Sequence, residues 1–313
     1  MQSSSGNDTV KMTWERIAHD AQWGPRDSPG EVVYDGKMWL LGGYTPARVN
    51  DVWYSEDGVR WHQATPHAPW GERNLPCALV YDDKMWLFAG AADEHAYNDV
   101  WCSRDGVNWT QVTDSAPWRE RSAAGAVVYD GKMWILGGMD YRDFTHFNDV
   151  WYSADGKDWT RATDAAPWSP RSMHSSVVYR GKMWVMGGGI YNTSHPHNTV
   201  ADYNDVWCSE DGVSWARATG AAQWAPRRFH CSVVFDGAMW IMAGYHLGNR
   251  NDVWYSRDGA VWREAGSEDK WPVRHEPACL VFNGRLYVIG GFGDVLYDDV
   301  WVCRRSAALS GSE

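Results

Sequence analysis

The sequence predicts an all-β protein, a six-bladed β-propeller whose N-terminal strand completes the last blade. Three observations carry this. All 23 tryptophans fall at four positions of one repeated unit. That unit recurs six times, marked by Arg26, Arg73, Arg121, Arg171, Arg227 and Arg274 at spacings of 47, 48, 50, 56 and 47 residues. No stretch sustains the 3.6-residue apolar period of a helix. Self-similarity near 50 residues is the signature of a propeller or solenoid.

Each unit opens A-P-W-x-x-R, continues V-V-Y-D-G-K-M-W-L-L-G-G and, after a variable stretch, closes N-D-V-W-Y-S-x-D-G-x-x-W. In the third unit the runs Ala124–Tyr129, Met133–Gly137, Val150–Ser153 and Trp159–Ala162 are rich in Val, Trp and Tyr and bounded by Gly, Asp or Pro, so they read as strands. Strands one and two meet at pairs such as Asp35-Gly36 and Asp130-Gly131; strands three and four meet at pairs such as Asp57-Gly58 and Asp105-Gly106. Such pairs tolerate the positive φ of tight hairpins. Each unit is therefore a four-stranded meander, one blade.

The sixth unit stops after Trp301-Val302-Cys303 and lacks a fourth strand, while Thr13–Ile17 is a fourth strand with no unit before it. Pairing the two closes the ring. The expected organisation is an N-terminal tail over 1–12, one propeller over 13–303 and a C-terminal tail over 304–313.

The glycine pairs Gly42-Gly43, Gly137-Gly138, Gly187-Gly188 and Gly290-Gly291, with the aromatic before them and the Trp downstream, make the chain resemble the kelch family. Ala89-Gly90 and Ala243-Gly244 depart from that pattern. The Ser55–Trp61 segment and its copies resemble shortened Asp-box hairpins, a structural clip. Kelch propellers include enzymes, peptide-binding domains and scaffolds, so the resemblance implies the fold and leaves function open.

A net charge of −11 with no Lys/Arg run argues against nucleic acid or an anionic membrane as partner. No apolar run reaches membrane-spanning length. Met1–Asn7 has no apolar signal region, so a soluble, cytoplasmic monomer is expected, unless a leader has been removed. The cysteines, Cys77, Cys102, Cys208, Cys231, Cys279 and Cys303, read as six free buried thiols, which favours a reducing compartment.

Turns of a meander alternate between two faces. The tight, uniform turns share the bottom; the variable loops share the top, where function is expected. The longest loop, Gly189–Tyr203, belongs to blade four. Histidines gather on the top face and lysines (Lys37, Lys84, Lys132, Lys157, Lys182) in bottom turns. His174 and His230 each lie three residues after their blade arginine, in adjacent blades four and five, where the other blades carry Pro29, Pro76, Ala124 and Pro277. Three chemistries fit that pair. The imidazoles can ligate a divalent transition metal or copper, with His195 or His197 completing the shell. They can act as acid and base. They can hydrogen-bond a ligand or the scaffold without chemistry. Tyr245-His246 resembles the copper-ligand Tyr and His of galactose oxidases, although a seventh blade and the remaining ligands are missing.

The blade arginines have two readings. Each can pair with the Asp of the N-D-V-W run, or Arg171, Arg227 and Arg274 can clasp an anion. The expected site is thus a top-face pocket over blades three to six, built from His174, His230, Arg171, Arg227, Arg274, Tyr191, His195, His197, Tyr245 and His246. It would bind a small polar or anionic molecule, with or without catalysis and a metal. The alternative is a protein-interaction module using the same loops.

Overall fold

A computed structural model of the chain describes residues 10–192 and 201–305, with side chains undescribed at 304 and 305. The hairpin chemistry folds as expected. Asp35 and Gly36, at φ 48° and 68°, make a turn in which both central residues have positive φ, and Asp82-Asp83 takes the same conformation without glycine. Each unit is a four-stranded antiparallel sheet; blade one, for example, comprises Gly30–Tyr34, Lys37–Tyr44, Arg48–Ser55 and His62–Thr65 in spatial order. The inner strands, Gly30–Tyr34, Cys77–Tyr81, Gly125–Tyr129, Ser175–Tyr179, Cys231–Phe235 and Ala278–Phe282, neighbour one another around a closed ring.

Closure follows the expected route. Lys11–Ala18 pairs antiparallel with Val300–Arg305, in the register Trp14↔Cys303 and Glu15↔Val302. The structure adds one element. Gly266–Glu268, leaving blade five, pairs parallel with Lys11–Thr13 and covers the outer edge of the closing strand. An uncovered edge would offer unpaired N–H and C=O groups to another chain. Two hairpins also run longer than the sequence suggests: in blade three, Lys132–Asp140 and Thr145–Ser153 stay paired up to Asp140↔Thr145.

The four tryptophan series have four jobs. The loop series is nearly solvent-free, and each member meets a fourth-series Trp edge to face, as in Trp70–Trp109 (5.9 Å) and Trp271–Trp14 (4.3 Å). The second series donates Nε1–H to main-chain carbonyls, as Trp39 does to Tyr34, and in blades one to four lies against the Asp-box glycine of the next blade. A Cβ on Gly106 would overlap the Trp39 ring, so glycine is required there by contact as well as by its φ of 73°. The third series donates to the Asp two residues earlier, and the fourth, Trp14 apart, to the Asp-box glycine carbonyl.

The cysteines correct the sequence reading. Cys231 and Cys279 form a disulfide with Cα atoms 6.1 Å apart, joining the inner strands of blades five and six. Cys77, Cys102, Cys208 and Cys303 are free. The two partners sit four and five residues after their blade arginines. Comparison of equivalent slots missed them because they are offset by one. With six free thiols goes the argument for a reducing compartment. Among the described residues no helix is long and apolar enough to cross a membrane.

Candidate functional site

The blade arginines are buried in the scaffold. Arg171 has no exposed surface; its Nη1 and Nη2 bond both oxygens of Asp205 at 2.6 and 2.9 Å, Nη1 also bonds Gly187 C=O, and Nε bonds Ser169 C=O. Arg227 does the same with Asp252, and Arg274 with Asp299. The Asp then accepts the indole N–H of its blade Trp, as Asp205 does from Trp207. Arg171, Arg227 and Arg274 thus make the Asp pairing that was one of their two expected readings. Their donors are spent on the scaffold, and none lines the channel cavity.

Two residues beyond each arginine the chain takes a left-handed conformation in every blade, at Ser28, Leu75, Ala123, Met173, Phe229 and Glu276, with φ between 51° and 58°. This lets each residue's N–H donate to the carbonyl of its counterpart in the preceding blade. Leu75 donates to Ser28 at 2.9 Å, Phe229 to Met173 at 2.9 Å, Glu276 to Phe229 at 2.9 Å, and Ser28 closes the circle onto Glu276 at 3.1 Å. A continuous belt of six hydrogen bonds thus rings the channel mouth. Positive φ outside glycine carries strain, and its repetition here is maintained by the belt.

The belt side chains and the inner strands below them line an open cavity of about 210 Å³. Its wall is uneven. Blades two and three contribute apolar groups, including Leu75, Pro76, Ala123 and Ala126; blades four and five contribute His174, Ser175, Ser176, His230 and Ser232; blades six and one contribute Glu276, Ser28 and Glu31.

His174 and His230 are both in this wall, more than nine-tenths buried. His174 Nε2 accepts the N–H of Gly125 in blade three at 3.2 Å, and His230 Nε2 lies 2.9 Å from Ser175 Oγ in blade four. Burial, reinforced by Arg171, drops the His174 pKa to about 3. Burial, then Arg227 and His174 itself, does the same to His230. Both imidazoles are neutral and tie blade to blade. Among the described residues no three His, Cys, Asp or Glu side chains gather as metal ligands. His195 and His197 lie outside the described residues.

The acids are the groups the sequence reading missed. Burial pushes Glu31 up to about 8 against the backbone N–H of Cys279. Glu276 is raised well above the usual range by burial and then by the charge of Asp27. Asp27 itself rises to about 6 through burial, against the Ser28 hydroxyl, which donates to it at 2.8 Å, and the charge of Arg48. Their signal was present in the repeat: five residues after the arginine the other blades carry Ala78, Ala126, Ser176, Ser232 and Cys279, and two residues after it Glu276 is the single acid.

The remaining expected residues assemble above the cavity rather than in it. Asp202 binds Arg228 Nη1 at 2.8 Å and His246 Nδ1 at 2.9 Å. The Arg228 guanidinium lies 5.3 Å from the ring centres of both Tyr191 and Tyr245. The Tyr191 N–H donates to His146 Nε2 at 3.1 Å. His275 packs among Phe229, Tyr245 and Phe292, and burial followed by Arg228 lowers it to about 4.

The family model for the KLHDC2/KLHL20/DRC7 Kelch-repeats domain matches residues 60–217. The chain belongs to the kelch-repeat family. As a kelch propeller it has the framework of a binding module. A solved structure, described as the structure of YjhT, matches this kelch propeller with a TM-score of 0.72 and 13% identity, over 91% of this chain and 95% of that one, a likeness of fold. No curated protein matches the sequence.

Proposed function

We propose that this kelch propeller binds a small polar molecule through the top mouth of its channel. The carrying observation is the open cavity under the belt, where Glu31, Glu276 and the serines of blades four and five converge on one volume. A concave site with a few convergent polar groups and shifted carboxyl pKa values is the physical form of a ligand site. His174 and His230 supply part of its neutral wall, while the Arg228–Asp202–His246 group, with Tyr191 and Tyr245, stands over the mouth. The site is carboxyl-rich and its arginines are engaged, which favours a neutral or cationic ligand over an anionic one. The test is Ala126→Trp, which fills the cavity from its apolar wall. Binding of small polar molecules, followed by calorimetry, should be abolished while the melting transition stays cooperative. Unchanged binding would place the site elsewhere.

A second reading has its own observation. The top loops of blades five and six expose Leu247 (90%), Val295 (58%) and Phe292 (38%). Such groups suit a protein partner. Leu247→Asp with Phe292→Asp should abolish capture of that partner and leave small-molecule binding intact.

A further inference from the structure

We propose that the ligand of the channel cavity is a compact organic cation, a primary or substituted ammonium, whose counter-ion is Glu31. This rests on the cavity being the ligand site and names the class of molecule that fills it.

The argument starts from a slot. Five residues after the blade arginine, Glu31, Ala126, Ser176 and Ser232 line the cavity, and five of six blades keep this slot small. Glu31 is an addition the scaffold does not require. Its carboxyl is met by the backbone N–H groups of Cys279 and of Glu31 itself, and among the described residues no side chain meets it. Burying a carboxyl without a cation is costly. The cations nearby are committed elsewhere: Arg228 to Asp202, Arg48 to Asp93 and Asn74, and the blade arginines to their aspartates. Among the described residues no Lys or Arg lines the cavity.

The rest of the wall suits a donor-only group. An ammonium has N–H donors and no acceptor. The cavity offers the Glu31 carboxylate and the hydroxyl oxygens of Ser176 and Ser232 as acceptors. Phe229 and Met173, in the belt above, give the carbon skeleton an aromatic ring and a thioether to lie against. A volume of about 210 Å³ suits a compact guest. Glu276 and Asp27, linked through Ser28 at the mouth, keep the approach negative when ionised.

Binding has a proton balance. At neutral pH Glu31 carries its proton. An entering R–NH₃⁺ pairs with the carboxylate, and the carboxyl proton leaves to solvent, one H⁺ released for each cation bound. The neighbouring titratable groups are Glu276 and Asp27 above and the two neutral imidazoles, His174 and His230, across the cavity.

The experiment is calorimetry of the full chain with ethylammonium, ethanolamine, choline, glycerol and acetate, in two buffers of different ionisation enthalpy, from pH 6 to 9. At least one of the amines should bind, releasing close to one proton at pH 6.5. Its affinity should rise about tenfold between pH 6 and 7 and level off above pH 8. Glu31→Gln, checked for folding by its melting transition, should lose both the proton release and the pH dependence. Amine binding without proton release, an unchanged Glu31→Gln variant, or no amine binding overturns the proposal. If glycerol or acetate binds instead and Ala126→Trp blocks it, the cavity remains the ligand site and only the cation assignment falls. If no probe binds and Ala126→Trp changes nothing, both fall.

Discussion

His230 Nε2 stands 2.9 Å from Ser175 Oγ, so a side chain of blade five closes a hydrogen bond onto the inner strand of blade four. His174 repeats the contact one blade earlier, onto Gly125 N–H. Both histidines are seam ties before they are anything else, and the first prediction follows. Replacing either by Ala should destabilise the protein by about 1–3 kcal/mol in urea unfolding, because a buried polar partner is orphaned. The pH dependence has a definite sign. Their folded pKa of about 3 lies below the ordinary value of 6.5, so the unfolded chain binds more protons between those limits. Their share of stability is present above pH 6.5 and is lost as pH falls toward 3. A His174→Gln/His230→Gln variant should show a shallower loss across that window.

Glu31 acts in the opposite direction. Its folded pKa of about 8 exceeds the ordinary 4.5, so the folded state holds the extra proton. Stability from this group is present below pH 4.5 and declines as pH rises to 8, by at most about 1.4 kcal/mol per pH unit. Glu31→Gln should flatten that decline. Unfolding measured from pH 6.5 to 9 separates it from the histidines, which act below 6.5.

Arg171→Ala should be the most damaging single substitution discussed here, at about 3–5 kcal/mol, since it strands the Asp205 carboxylate that also holds Trp207. Arg171→Lys should recover little, because an ammonium cannot reproduce the two-pronged bond. Denaturant midpoints of the two variants check this.

The disulfide gives a direct count. Denatured, unreduced protein should show four alkylatable thiols by mass, those of Cys77, Cys102, Cys208 and Cys303, and six after reduction. Cys231→Ser/Cys279→Ser should cost about 2–4 kcal/mol by releasing a loop of 48 residues in the unfolded chain. Six thiols without reduction would dispose of the staple.

How much was legible before folding depends on how far each feature is repeated. The blades, their Asp-Gly turns, the closing strand and the Arg–Asp pairing could be read because each recurs in register. Glu31 and Glu276 carry no repetition. They become noticeable only as exceptions, and their chemistry depends on a wall assembled from blades far apart in sequence. The histidines showed the converse: read as exceptions, they were noticed, but their bonds to the preceding blade were invisible in a linear chain.

The sequence by itself determined the propeller, because turn type, strand alternation and the spacing of tryptophans are local properties repeated six times. Only the tertiary structure decided what lies inside the ring. The belt at Ser28 and its five counterparts, the Cys231–Cys279 bond and the cavity before Glu31 all arise between blades, where residues about 50 or more positions apart come into contact. The physical reason is that burial and inter-blade hydrogen bonding set the charge state of these groups, and neither exists until the ring is closed.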